Sequence, residues 1–121
     1  MIPDSKNFNL KIGNKLTNLF VLNNKNNFQV SITNYGGRIV SILVPDNEGN
    51  LTDVALGYSD IQGYQQEDEP YFGALIGRYG NRIQKGTFSL EGNTYHLPLN
   101  DKGQSLHGGP FGFHTQVWDA K

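Results

Sequence analysis

The sequence predicts an all-β, antiparallel, sandwich-like fold, and three observations predict it. Short segments alternate apolar and polar residues with the period of two that a half-buried strand requires. Clusters of Asn, Asp and Gly separate those segments, as turns do in an antiparallel meander. Helical periodicity is nearly absent. With 121 residues there is material for one domain and not for two, so a single domain over 1–121 is expected.

The elements follow in chain order. The opening stretch, MIPDSKNFNLKIGNKL, has no apolar run of signal-peptide length, and no later segment approaches a membrane span. A cytoplasmic protein is therefore expected. LTNLFVL reads as a strand and Asn23–Asn27 as the polar turn after it. FQVSITN alternates cleanly, with Phe28, Val30 and Ile32 on one face and Gln29, Ser31 and Thr33 on the other. RIVSILV is a second strong strand, ended by Pro45 and the turn DNEGN, and LTDVALGY returns as its hairpin partner. Ser59–Pro70 is the least strand-like part and suits one short helical turn capped by Ser59 or Asp60.

FGALIGRY and NRIQKGTFSL then resume extended structure. Ile83 and the pair Phe88 and Leu90 fall on opposite parities, which calls for a change of facing, and Gly86 is the expected bulge. EGN turns the chain, TYHLPLN runs back, and GFHTQVWDAK reads as one more strand. No internal repeat or linker-like segment interrupts the series.

Composition narrows the function classes. A net charge of -1 and a pI near 6.3 give no electrostatic footprint for nucleic acid or an anionic membrane. The absence of cysteine excludes a disulfide framework and a thiolate metal site, and is compatible with a reducing compartment. Neither a dinucleotide fingerprint nor a phosphate-binding loop occurs.

Two stretches place polar chemistry where the backbone is least regular: GRYGNRI, Gly77–Ile83, and SLHGG, Ser105–Gly109. Asn81 and Arg82 would point to opposite faces of a regular strand, so both reach one ligand only if the backbone twists, as Gly77 and Gly80 would allow. An arginine fork beside an amide suits a polyol. A surface arginine next to a turn-forming asparagine is the alternative. His107, between Leu106 and two glycines, is either an ordinary loop histidine or a group able to donate, accept or shuttle a proton. His96 and His114 carry no nameable role, and the spacing of the three histidines matches no compact metal-ligand pattern. No metal is expected. The acidic run Glu67, Asp68 and Glu69 reads as a solvated loop. Tyr71, Phe72, Phe111, Phe113 and Trp118 suit either sugar stacking or the core.

The order TNYGGRIVSILVPD, DVALGY, PYFGALIGRYGNRIQKGTFSLEGNTYHLPLN and LHGGPFGFHTQVW resembles the galactose mutarotase, or aldose 1-epimerase, family over Phe28–Trp118. The resemblance implies a large antiparallel β-sandwich with a sugar cleft along one sheet, and interconversion of the α and β anomers of free hexoses such as galactose and glucose without cofactor or metal. It implies that Asn81 and Arg82 match the pair that contacts the sugar and that His107 matches a histidine hydrogen-bonded to it. The family's catalytic base is a glutamate and its acid a histidine, both beyond the LHGG stretch. The expectation is therefore of the N-terminal part of such an enzyme, with no catalytic residue of its own and inactive alone. Gly80 stands where the family commonly has alanine. A carbohydrate-binding module without turnover is the alternative. An epimerase of phosphorylated hexoses would need a cationic cluster for the phosphate that the sequence does not display.

Overall fold

The computed structural model describes residues 2–66 and 68–121, so Glu67 of the acidic run lies outside the described residues. The chain divides into two compact units, one of Met1–Leu75 with His114–Lys121 and one of Ile76–Phe113. Among the described residues, no helix is long and apolar enough to cross a membrane.

The first unit starts with a 3₁₀ turn, Ser5–Phe8, capped by Asp4, which accepts from the Lys6 N–H. A minimal ladder follows, β1 (Lys11–Ile12) against β2 (Lys15–Leu16). Two residues per strand are too few to show a period, which is why sequence patterning misses it. β3 (Leu19–Asn23), β4 (Gln29–Thr33), β5 (Arg38–Pro45) and β6 (Leu51–Asp53) form one antiparallel sheet in that order. Side-chain capping closes its turns. Asn24 Oδ1 accepts from the N–H groups of Asn26 and Phe28, and Asp46 Oδ1 accepts from those of Glu48 and Asn50, each at 2.8 Å. These bonds, the one from Asn50 foremost, hold the Asp46 carboxyl below the usual carboxylate range. The expected helical turn is α1 (Ile61–Tyr64), with Asp60 accepting from the Gly63 N–H at 2.8 Å.

The alternation along Phe28–Thr33 is present, and the face carrying the small hydroxyls is the buried one. Ser31 and Thr33 are fully buried, whereas Phe28 keeps 39% of its surface exposed. Ser41 and Arg38, their ladder partners on β5, are buried with them. The core of this unit comprises Phe8, Tyr35, Val40, Ile61 and Tyr64. Arg38 is part of this interior: its guanidinium carbon lies 5.1 Å from the Tyr35 ring centre and 5.0 Å from that of Tyr64. It donates to the carbonyls of Phe72 at 3.3 Å and His114 at 2.7 Å. Burial lowers its pKa, while the two tyrosines act against that shift.

Three expectations are corrected. Phe72–Tyr79 joins no ladder, because its backbone groups are spent on a turn at Tyr71–Ala74 and on separate bonds from Ile39 to Gly73 and from Leu75 to Gly36. GFHTQVWDAK forms a 3₁₀ turn, Phe113–Thr115, followed by a single bridge between Tyr35 and Val117. The change of facing before Phe88 is made by a 3₁₀ turn over Gln84–Gly86, where Lys85 and Gly86 both take positive φ, and not by a bulge.

The second unit contains β7 (Arg82–Ile83), β8 (Thr87–Leu90), β9 (Asn93–His96) and β10 (Ser105–Leu106). β8 and β9 form a hairpin through Glu91 and Gly92, both at positive φ as a type I′ turn requires. β7 pairs antiparallel with β10, setting Arg82 opposite Leu106 and Ile83 opposite Ser105.

Candidate functional site

The β7–β10 ladder joins the three residues singled out as sugar contacts. One step past Leu106, the His107 N–H donates to the Asn81 carbonyl at 2.9 Å. In return the Asn81 N–H donates to Nδ1 of the His107 ring, also at 2.9 Å. Nδ1 is thus an acceptor, so in the neutral imidazole the proton sits on Nε2 and that nitrogen is a donor. Both residues occupy the left-handed region, Asn81 at φ 60 and His107 at φ 51. Asparagine and histidine are among the side chains that tolerate it best, and such local strain concentrates at functional sites.

The twist that lets Asn81 and Arg82 act together is made by Asn81 itself. Neither Gly77 nor Gly80 has a positive φ. Arg82 then folds back on its neighbour, its Nη1 donating to Asn81 Oδ1 at 3.1 Å. Its Nε donates to Asp101 Oδ2 at 2.7 Å. The Arg82 side chain remains 54% exposed and that of Asp101 23%. A polar chain therefore runs Asp101–Arg82–Asn81–His107, in which the two formal charges cancel. Such a cluster offers directed donors without a net field, which suits hydroxyl groups better than an anion.

The loop holding Asp101 is closed by its own hydrogen bonds. Asp101 and Gln104 are bridged through Lys102 and Gly103, both at positive φ. Asn100 flanks the turn and uses its amide like a strand, donating to Leu106 O at 3.0 Å and accepting the Leu106 N–H at 2.7 Å. Gln104 Oε1 accepts from the Lys85 N–H. Sequence reading passed over Asp101, Asn100 and Gln104. The available signal was the two-residue turn chemistry of DKGQ, where Gly103 supplies one of the positive-φ positions.

The glycines after His107 serve the backbone. A Cβ on Gly108, at φ 87, would collide with the Gly77 carbonyl oxygen, and one on Gly77 would meet the Phe113 ring. His96 stays outside the cluster, exposed, with Thr87 Oγ1 at 3.3 Å from its Nδ1. His114 belongs to the first unit, buried with its ring tilted against Tyr71 at 4.7 Å. Of the aromatics, Phe72 stacks on Tyr58 and packs against the core, while Phe113 lies under Arg78. Among the described residues no three His, Asp or Glu side chains are grouped as a metal ion would need.

Comparison with known proteins adds an independent line. Residues 18–121 match the family model described as aldose 1-epimerase. A galactose mutarotase from Homo sapiens is 47% identical over 93 residues, covering 77% of this chain and 27% of the relative. A probable aldose 1-epimerase from Arthroderma benhamiae is 45% identical over 98 residues, covering 77% and 22%. Among solved structures, a GalM/aldose epimerase homologue from C. elegans superposes with a TM-score of 0.79 at 27% identity, covering 85% of this chain and 31% of that one. A galactose 1-epimerase from Lactobacillus acidophilus gives 0.73 at 28% identity, covering 91% and 31%. The chain spans about a quarter of the length of the curated relatives it matches. The fold that these neighbours share with it is the all-β, antiparallel sandwich type.

Proposed function

Because the chain belongs to the aldose 1-epimerase family, we propose that it is the sugar-gripping part of a mutarotase acting on free hexoses such as galactose and glucose. The observation that carries this reading is the polar chain Asp101–Arg82–Asn81–His107, held by reciprocal hydrogen bonds between Asn81 and His107. Anomerisation requires a base to take the proton of the C1 hydroxyl and an acid to protonate the ring oxygen. The ring opens, the aldehyde turns about C1–C2, and closure on the other face yields the other anomer. Arg82, Asn81 and the Nε2–H of His107 hold sugar oxygens while charge moves among them. The proton transfers themselves are assigned to groups outside residues 1–121, so these residues alone bind and do not turn over. No cofactor enters the scheme.

Polarimetry on freshly dissolved α-galactose tests it in the protein that carries this chain at full family length. Arg82→Ala and His107→Ala should each lower turnover by roughly 10- to 1000-fold, because donors aimed at developing charge outweigh neutral contacts. His96→Ala should be nearly silent, since it lies outside the cluster, with Thr87 as its side-chain neighbour among the described residues. Full activity in either of the first two variants would remove that residue from the site. A second reading, a module that holds sugar without transforming it, is favoured by one feature: Phe88 and Tyr95 stack at 5.1 Å on the exposed hairpin and offer an aromatic face. Hexose binding without mutarotation would select that reading.

A further inference from the structure

Arg82 has five N–H donors on a freely rotating stem, and a half-exposed arginine ordinarily samples many rotamers. Here two of those donors are engaged within the chain, Nε by Asp101 and one Nη1 hydrogen by Asn81. The two acceptors hold two different nitrogens of one planar group, which fixes both the plane of the fork and its rotation. The remaining Nη1 hydrogen and both Nη2 hydrogens are aimed by that constraint, and they have no acceptor among the described residues. Asp101 is itself held: its backbone is clamped in the turn by Gln104, with Gln104 N–H to Asp101 O at 2.8 Å and Asp101 N–H to Gln104 O at 3.2 Å. Its carboxylate is three-quarters buried, on the more rigid side of the pair.

We infer that Asp101 is a positioning residue for sugar recognition: its carboxylate presets the Arg82 guanidinium so that its remaining N–H donors meet hexose oxygens without an ordering cost. This rests on the sugar-contact reading of Arg82. An ion pair whose arginine is half exposed contributes little to stability, so the energetic consequence falls mainly on the ligand. The pair also cancels the charge of the fork, which directs the site toward neutral hexoses and away from anionic sugars.

The test is mutarotation kinetics on α-galactose in the full-length protein, with Asp101→Ala, Asp101→Asn, Arg82→Ala and the double variant Arg82→Ala/Asp101→Ala. Asp101→Ala should lower kcat/KM about 10-fold with an unchanged melting temperature. Asp101→Asn keeps an oxygen within reach of Nε and should recover most of that loss. In the Arg82→Ala background, removing Asp101 should add nothing, because there is no fork left to orient. Equal activity of Asp101→Ala and the parent would overturn the inference while leaving the functional reading intact. So would a loss that simply multiplies with that of Arg82→Ala, or an Asn variant as impaired as the Ala variant. A parent protein that neither binds nor mutarotates hexose would overturn both together.

Discussion

Gly80 and Gly108 flank the proposed sugar-contact cluster in sequence, and their surroundings make opposite demands. At Gly108 a methyl group would collide with the Gly77 carbonyl, and φ of 87 is strained for any residue with a Cβ. Gly108→Ala should therefore lower the unfolding free energy by about 2–4 kcal/mol and cut activity with it. At Gly80 a Cβ would meet only Ile76 Cγ2 at 3.7 Å, an ordinary contact, and φ is not left-handed. Gly80→Ala should be neutral or stabilising by up to about 1 kcal/mol. Urea unfolding of both variants decides the matter, and the opposite ranking would contradict this account of the loop. At this scale the sequence named candidate residues and was uninformative about how they meet. Asn81, Arg82 and His107 stand out as donors and acceptors beside glycines, and the family resemblance adds a role for each. The partnership of Arg82 with Asp101 spans 19 positions, and no local pattern encodes a contact at that separation.

β5 shows what an element can do when one of its buried positions is filled by a cation. Arg38 lies on the buried face of the sheet, between the rings of Tyr35 and Tyr64, and satisfies two carbonyls that would otherwise lack this donor. Arg38→Met keeps much of the volume and leaves the Phe72 and His114 carbonyls without it. The expected cost is about 2–4 kcal/mol in chemical denaturation, because buried acceptors stripped of a donor bear their full desolvation penalty. Arg38→Lys should recover only part of it, since one ammonium cannot span both carbonyls as a planar fork does. A Met variant as stable as the parent would show that the two carbonyls find other donors. Strands of three or more residues were legible, and the 3₁₀ turns were not: β3, β4, β5 and the β8–β9 turn follow from alternation and turn chemistry, and α1 from its Asp60 cap. β1, β2, β7 and β10 have two residues each, too short for any period to register. The burial of Ser31 and Thr33 in preference to Phe28 was also hidden, because alternation separates two faces without saying which one the core selects.

For the molecule as a whole, the net charge is -1, and the Arg82–Asp101 pair adds none to it. The sheet of the first unit carries Phe20, Leu22, Phe28 and Ile39 with 38–60% of their surfaces exposed, an apolar face of the kind that larger folds cover. The β7–β10 ladder also has a consequence in time. The bond from Asn81 to His107 closes a span of 26 positions, and the β8–β9 hairpin lies wholly inside that span. Hairpins zip from local contacts within about 1–10 μs, and once formed this one shortens the loop that remains to be closed. On that argument the Asn81–His107 contact closes after the hairpin it encloses. In native-state hydrogen exchange, the amides of Asn81 and His107 should lose protection before the paired amides of β8 and β9, and the reverse order would contradict this sequence of events. A hexose bound at the proposed site would act on that clock, holding shut a ladder whose closure follows that of the hairpin inside it.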